Sequence, residues 1–425
     1  MRFVLRADGL TVRHMVLLEG AEKSSGAYPG GFPVNEHAPQ HHRPNRLRGR
    51  RRGVAATVTA VAAAVAAAVV AGVLVPVAAT AAPRPDAVQQ RLDALVQKDG
   101  APAALATVKG RDGRSRTYTA GVGDAATRAK VPVDGQVRIG SDTKTFTAVV
   151  VLQLVAEGKV GLDASVDTYL PGLVRGDGID GRNITVRQLL QHTSGLPDYM
   201  NPAGVLADPA RYVEPRELLD AALAKKAHFA PGAQWEYINT NYLLAGMIVQ
   251  KVTGRPIGEE ITKRVVDRIG LRHTYFPVPG DMTIREAHPK GYQRAADGSL
   301  RDYTELDPSW GWAAGAMIST NTDVTRFYDA LLGGRLLPAA QLAQMRATVP
   351  AEELGAGVRY GLGLVSRPLS CGGLSWGHGG AIPGYENAGG TTDDGRSANI
   401  TVTAFPGNDD TVTHLDQAVD EALCR

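Results

Sequence analysis

The spacing of apolar residues along the chain predicts both helices and strands. Helical periodicity covers 86–97 and 143–157, and Gly100 and Gly158 follow where helix-ending glycines are typical. Further helices are predicted at 186–192, 215–225, 241–253, 258–269, 323–332 and 411–423. Alternating or β-branched runs predict strands at 103–109, 116–122, 137–139, 313–319, 360–365, 374–377 and 399–404.

The predicted strands flank a long, mostly helical insert, and they do not alternate regularly with helices. This order predicts an α+β fold in which N- and C-terminal helices flank an antiparallel sheet, with a mostly helical lobe beside it. We expect one domain over 83–425. Its sheet lobe would comprise 86–140 and 313–425, and its helical lobe 141–312.

The region before this domain has the pattern of an export signal. Six arginines between positions 43 and 52 precede an almost uncharged, Ala- and Val-rich run over 54–82, which ends in small residues before Pro83. This pattern is typical of a secretory signal peptide, so we expect a secreted protein. The alternative is an uncleaved membrane anchor, because the run is long enough to span a bilayer. Residues 1–53 form an extension longer than a normal basic leader.

The charge of the remaining chain and the placement of its histidines exclude two classes of function, nucleic-acid binding and metal-dependent catalysis. From residue 82 onward the chain has 36 basic and 39 acidic residues, which leaves no excess positive charge for binding nucleic acid. The histidines are scattered, and no His-Glu-x-x-His motif is present. We therefore expect no nucleic-acid partner, no metal and no cofactor.

The chain has two cysteines, Cys371 and Cys424. In an exported protein an even pair favours one disulfide, which would tie the C-terminal segment to the region near His378. The alternative is a pair of free buried thiols.

The strongest candidate for chemistry is Ser141, which lies three residues before Lys144 in the chain's one Ser-x-x-Lys motif. Residues three apart on a helix share a face, so the two side chains can meet. A serine hydroxyl needs a neighbouring base to become a nucleophile. A lysine whose pKa is lowered by burial can be that base. On its own the motif also fits a solvated Ser and Lys on a helix surface.

A second motif, Tyr237-x-Asn239, precedes a predicted helix in the helical insert. The Tyr237 hydroxyl is a candidate base or proton relay, and the Asn239 amide can bind the lysine or a substrate carbonyl. The same spacing also occurs at Tyr199 and Tyr385, so position in the fold decides the choice. The alternative is a half-buried packing tyrosine.

A third motif, His378-Gly379-Gly380-Ala381, is the chain's one His-x-Gly. Gly380 allows a substrate to approach the backbone closely, and the Ala381 N–H is a candidate oxyanion donor beside that of Ser141. The alternative is that His378 is a structural residue.

These three motifs, in this order, resemble those of the beta-lactamase and penicillin-recognising serine hydrolase superfamily. Tyr237 follows Ser141 by 96 residues, and His378 follows Tyr237 by 141. Four longer segments are similar to the branch that holds class C beta-lactamases and secreted actinomycete D-alanyl-D-alanine carboxypeptidases. They are Arg138–Val150, Asp163–Leu173, Leu189–Leu196 and Tyr360–Leu364.

The resemblance implies an acyl-enzyme mechanism. In it Ser141 attacks, Lys144 and Tyr237 share the proton transfers, and Asn239 and His378 position the substrate. It also implies a disulfide between the two cysteines, and an apolar cleft wall formed by Trp310 or Trp312. Peptide or ester small molecules would be substrates, and beta-lactams would be inhibitors.

One part of the carboxypeptidase pattern is missing. Those enzymes hold the substrate's terminal carboxylate with an Arg and two Thr, and the corresponding positions here are Val365, Gly379 and Ala381. Arg367 lies two residues on and would share the strand face of Val365, so it is a candidate substitute. We expect a D-alanyl-D-alanine carboxypeptidase. The alternatives are an esterase or beta-lactamase of the same family, and a non-hydrolytic penicillin-binding module.

Overall fold

The computed structural model describes residues 86–200, 208–295, 297–405 and 410–425. The described residues form the following strands: β1 (Ala103–Lys109), β2 (Ser115–Gly121), β3 (Val137–Arg138), β4 (Arg175–Gly176), β5 (Ile179–Asp180), β6 (Tyr292–Arg294), β7 (Leu300–Asp302), β8 (Ile318–Ser319), β9 (Val349–Pro350), β10 (Arg359–Tyr360), β11 (Val365–Pro368), β12 (Leu374–Gly377), β13 (Gly380–Ile382), β14 (Tyr385–Thr392) and β15 (Ser397–Val402).

The same residues form the following α-helices: α1 (Ala87–Gln97), α2 (Thr143–Ala156), α3 (Val166–Tyr169), α4 (Val186–Gln191), α5 (Pro215–Leu223), α6 (Asn239–Thr253), α7 (Ile257–Ile261), α8 (Asp267–Ile269), α9 (Trp312–Gly315), α10 (Asn321–Leu332), α11 (Ala339–Met345) and α12 (Thr411–Leu423). A π-helical turn (Thr262–Val266) joins α7 to α8. Within the described ranges no helix is both long and apolar enough to cross a membrane. The predicted signal segment at 54–82 lies outside those ranges.

The main sheet is antiparallel and has the strand order β2-β1-β15-β14-β12-β11-β10-β9, with β13 added alongside β14. Apolar side chains of α1 and α12 pack together on this sheet, where Leu92 and Leu415 join Ile400 of β15 in one buried cluster. The predicted α+β class, with terminal helices flanking an antiparallel sheet, is confirmed. The division into lobes at 140 and 313 stays a prediction.

Helix α2, which directly follows the turn that contains Ser141, lies at the centre of the second and larger core. All but two of its 14 residues are buried, so it is packed around nearly its whole circumference rather than on one face. Phe146 stacks on Phe327 of α10, with ring centroids 3.7 Å apart. Surrounding the helix with packed side chains fixes where its first turn lies.

Three local predictions differ from the structure. Residues 313–319 do not form one strand, because 312–315 is the short helix α9 and only Ile318–Ser319 pairs with β3. The predicted strand over 360–365 is two strands joined by a reversal, in which Gly361 N donates to Leu364 O at 2.7 Å. The helix predicted over 258–269 contains the π-helical turn.

Cys371 and Cys424 are joined by a disulfide, with Cα atoms 5.6 Å apart. The bond ties the end of α12 to the turn between β11 and β12, which belong to the main sheet. It therefore holds the C-terminal helix against the strand that leads to His378.

Candidate active site

The centre of the site is the contact between Ser141 and Lys144. Ser141 lies in a single 3₁₀ turn (Gly140–Asp142), and Lys144 is in the first turn of α2. Lys144 Nζ donates to Ser141 Oγ at 2.9 Å. The sequence prediction that these two side chains meet on one face is therefore matched by the geometry. A neutral lysine at this distance can take the hydroxyl proton.

Lys144 is fully buried and has two further acceptors. Its Nζ donates to Asn239 Oδ1 at 2.8 Å and to the main-chain oxygen of Ala314 at 2.9 Å. Burial lowers the pKa of Lys144 to about 7, against an opposing effect from the charges of Asp198 and Asp142. Near neutral pH a substantial fraction of Lys144 is therefore uncharged.

Asp198 is a site residue that the sequence reasoning missed. Its Oδ2 accepts hydrogen bonds from Asn239 N at 3.0 Å and from Asn239 Nδ2 at 2.9 Å. The amide of Asn239 is thereby oriented with Oδ1 toward Lys144. The sequence offered one signal for Asp198. Only Pro197 separates it from Leu189–Leu196, one of the segments that resemble the superfamily.

Tyr237 lies two residues before the first residue of α6 and close to Lys144. The Lys144 Nζ is 4.8 Å from the centroid of the Tyr237 ring, and both Tyr237 and Ser141 line the same cleft. Helix α6 begins at Asn239, two residues earlier than predicted. The Tyr-x-Asn motif is therefore a turn entering a helix, which places both side chains beside the lysine.

The short strand β13 runs directly against the Ser141 turn. A Cβ atom on Gly380 would lie 1.9 Å from Ile139 O, and one on Gly140 would lie 3.0 Å from Ala381 N. The two glycines thus permit a backbone approach that no other residue type allows. This approach brings the main-chain N–H groups of Ser141 and Ala381 to one corner of the cleft, as an oxyanion hole requires.

His378 lies between β12 and β13 and is 5% exposed. Its Nδ1 is 2.5 Å from Gly379 O, and its Nε2 is 3.0 Å from the Tyr360 hydroxyl. A carbonyl only accepts, so Nδ1 donates to Gly379 O, and the Tyr360 hydroxyl, which can donate or accept, is the partner of Nε2. His378 lines the cleft and is held from two sides.

The cleft has a volume of about 470 Å³. Predicted site residues that line it are Ser141, Tyr237, Asn239, Trp310, Arg367, His378, Gly380 and Ala381. Trp312 is buried and is not a lining residue. Of the two candidate tryptophans, Trp310 is therefore the one on the cleft wall.

Arg367 lines the cleft but is already engaged by other protein groups. Its Nη1 donates to Leu354 O at 3.2 Å and pairs with Asp416 at 3.4 Å. Val365, Gly379 and Ala381 also line the cleft and have no polar side-chain atoms. The position where a terminal carboxylate was expected is therefore largely apolar.

Comparison with known proteins agrees with this geometry. The beta-lactamase family model matches residues 88–423, which is most of the chain. The chain belongs to the beta-lactamase family. The chain is 30% identical to penicillin-binding protein 4 of Amycolatopsis lactamdurans over 320 residues, or 73% of this chain and 78% of that protein. The resemblance to the superfamily is thereby confirmed, while the carboxypeptidase branch stays a prediction.

Two solved structures in this family are close in fold. A D-stereospecific amidohydrolase from Streptomyces sp. is 42% identical with a TM-score of 0.73, covering 80% of this chain and 98% of that chain. The D-amino acid amidase of Ochrobactrum anthropi SV3, solved with L-phenylalanine amide, is 28% identical with a TM-score of 0.71. That match covers 79% of this chain and 96% of the amidase. Members of the beta-lactamase family similar to this chain thus include amidases as well as penicillin-binding proteins.

Proposed function

We propose that this protein is a serine amidohydrolase that works through an acyl-enzyme on Ser141 and acts on amides of amino acids with a free amino group. The observation that carries the proposal is the position of Lys144. A fully buried lysine 2.9 Å from a serine hydroxyl has the geometry of a general base and its nucleophile.

In the proposed mechanism, Lys144 takes the Ser141 proton as Oγ bonds to the amide carbonyl carbon. The resulting oxyanion accepts hydrogen bonds from the main-chain N–H groups of Ser141 and Ala381. Protonated Lys144 returns this proton through the Tyr237 hydroxyl to the leaving nitrogen, the C–N bond breaks and ammonia leaves. Water then attacks the Ser141 ester while Lys144 takes its proton and returns it to Ser141 Oγ, which releases the amino acid. Asn239 holds Lys144 in place throughout.

The charge of the cleft supports a substrate with an ammonium group. Its lining carboxylates are Asp198, Glu236, Glu353 and Glu386, and its lining cations are Lys225 and Arg367. Lys225 Nζ donates to Asp198 O at 2.5 Å, and Arg367 is engaged as described above. Excess negative charge attracts a cation and repels a free carboxylate.

Glu353 is the carboxylate that best fits this role. Its Oε2 is buried and has no hydrogen-bond partner within the described ranges. Burial raises the pKa of Glu353, and the negative charge of Glu236 adds to the rise. A substrate ammonium would supply the missing hydrogen-bond donor and offset the repulsion between the two carboxylates.

The stereochemical part of the proposal comes from relatives. Two similar structures are those of a D-stereospecific amidohydrolase and a D-amino acid amidase. We propose the same preference for D-configured amino acid amides here. We also propose that the protein is exported, which is supported by the signal-like pattern at 54–82 and by the disulfide, since disulfides persist in oxidising compartments.

A D-alanyl-D-alanine carboxypeptidase is the second candidate. The similarity to a penicillin-binding protein and the presence of Arg367 on the cleft wall favour it. The pairing of Arg367 with Asp416 weighs against it, because a substrate carboxylate would have to displace that partner. Esterase, beta-lactamase and penicillin-binding roles share the acylation step and differ in the substrate and in deacylation.

The experiment compares four substrates on the wild-type chain and Ser141→Ala. D-phenylalanine amide should release ammonia, while L-phenylalanine amide and N-acetyl-D-phenylalanine amide should release much less. Diacetyl-Lys-D-Ala-D-Ala should release little D-Ala. Rapid D-Ala release with no ammonia from any of the amides would replace the proposed function with the carboxypeptidase.

A further inference from the structure

His192 is a buried residue outside the predicted site that contacts the Tyr237 turn in several ways. It follows α4 in the left-handed conformation, with φ of 62°, and it is fully buried. Its main-chain oxygen accepts from Glu236 N at 3.0 Å, and its Nδ1 accepts from Ile238 N at 3.1 Å. Glu236 and Ile238 are the neighbours of Tyr237 in the chain, so the two bonds hold the main chain on either side of Tyr237.

The surrounding hydrogen bonds determine where the His192 proton lies. Ser194 Oγ donates to Asn241 Oδ1 at 2.5 Å, so Asn241 Nδ2 is the atom that faces His192 Nδ1 at 3.0 Å. Both this amide and the Ile238 N–H can only donate. Nδ1 must therefore be an acceptor, and a neutral ring carries its proton on Nε2.

The ring of His192 also packs against the catalytic tyrosine. Its centroid is 4.5 Å from that of Tyr237 and 4.9 Å from that of Tyr360, which in turn binds His378. Burial lowers the pKa of His192, and the charges of Lys144 and His378 lower it further. Titratable groups facing the ring are Lys144 of α2, Tyr237 before α6, Tyr242 of α6, Tyr360 of β10 and His378 after β12.

We propose that His192 is a positioning residue that holds Tyr237 and Asn239 against Lys144, and that it can do so only as the neutral imidazole with the proton on Nε2. A proton on Nδ1 would face two N–H donors and would release the Ile238 main chain. The turn would then lose the support that aligns Tyr237 and Asn239 with the lysine. The kinetic consequence of this inference rests on the proposed acylation at Ser141, but the tautomer of His192 does not.

Three variants distinguish the role of His192 Nδ1 as a hydrogen-bond acceptor from the packing of the imidazole ring. His192→Phe keeps an aromatic ring and removes the acceptor. His192→Asn removes the ring and keeps an acceptor at the position of Nδ1, and asparagine tolerates the left-handed conformation. Asn241→Asp leaves His192 intact but replaces the donor facing Nδ1 with a carboxylate, which favours a proton on Nδ1. Thermal melting of each variant checks that the fold is retained.

The kinetic readout is the rate of acylation by a chromogenic D-amino acid ester. We expect His192→Phe and Asn241→Asp to lower kcat by about 100-fold with little change in KM, as misplaced catalytic groups do. We expect His192→Asn to recover most of the lost rate. Wild-type rates in His192→Phe and Asn241→Asp, or no recovery in His192→Asn, would overturn the inference.

The tautomer is measured independently by ¹⁵N–¹H correlation spectra of histidine-labelled wild-type protein, with the His192 signal assigned by its loss in His192→Asn. We expect a neutral ring with the proton on Nε2 throughout the neutral pH range. A wild-type chain that forms no acyl-enzyme would contradict the proposed function, and the spectra would then decide the inference. A proton on Nδ1 would overturn it in either case.

Discussion

Asp198 Oδ2 accepts hydrogen bonds from both the main-chain nitrogen and the side-chain amide of Asn239, at 3.0 Å and 2.9 Å. This double contact decides which atom of Asn239 faces Lys144. Without Asp198, the Asn239 amide could rotate and turn its NH₂ group toward the Lys144 ammonium, and the two donors would repel each other. Asp198 therefore acts through Asn239 on Lys144, the proposed base.

Removing Asp198 should impair catalysis more than folding. We expect Asp198→Ala to lower kcat/KM for the amide substrate by about 10- to 100-fold, because Asn239 loses its orientation. Asp177→Ala, which changes an exposed aspartate, is the matched control. Equal rates in the two variants would mean that Asn239 needs no such support.

The pH dependence of acylation should report the Lys144 pKa. The mechanism needs uncharged Lys144, so the rate should rise with pH through the value of about 7 to which burial lowers the lysine pKa. The negative charge of Asp198 favours the protonated lysine and raises this pKa. Asp198→Asn should therefore move the ascending limb of kcat/KM to lower pH. An ascending limb near the ordinary lysine pKa would contradict a base whose pKa is lowered to about 7 by burial.

The close approach of β13 to the Ser141 turn gives a steric prediction. Gly380→Ala would place a methyl group 1.9 Å from Ile139 O, so β13 must move and carry the Ala381 N–H away from Ser141. We expect kcat to fall by about 100-fold, as it does when an oxyanion donor is lost. Gly110→Ala, at a hairpin turn far from the site in sequence, is the control. An unchanged kcat for Gly380→Ala would exclude the Ala381 N–H as a donor.

Glu353 should control recognition of the substrate amino group. We expect Glu353→Gln to raise KM for D-phenylalanine amide by about tenfold, since a charge-assisted hydrogen bond is lost. An N-acetylated ester has no ammonium group, so its KM should not change. Glu352→Gln alters the exposed neighbouring carboxylate and is the control. A parallel rise in KM for both substrates would point to a general effect on the cleft.

Local sequence patterns predicted the elements that are stabilised locally. The apolar run of α2 and the amphipathic spacing of α12 are periodic enough to give helices with nearly the observed bounds. The three-residue spacing of Ser141 and Lys144 predicted their contact in the same way, although Ser141 lies in the 3₁₀ turn that precedes α2. The order and spacing of the three motifs indicated the family, and hence the cleft they share.

The remaining features depend on contacts between distant segments. The pattern over 313–315 predicts a strand, but these residues form a helix whose Ala314 carbonyl accepts from Lys144. The strands β13 and β14 contain several glycines, which weaken any strand signal, yet they pair in the main sheet and complete the site. Asp198 and His192 act through hydrogen bonds to residues more than 40 positions away, which no local pattern encodes.

Acylation of Ser141 is the step on which the whole mechanism depends. The decisive measurement is intact-mass spectrometry of the wild-type chain after brief mixing with an activated D-amino acid ester or a penicillin, with Ser141→Ala measured in parallel. We expect a mass increase equal to one acyl group on the wild-type chain, located by peptide mapping to Ser141, and none on Ser141→Ala. No adduct on the wild-type chain with any acyl donor, or the same adduct on Ser141→Ala, would show that Ser141 is not the nucleophile.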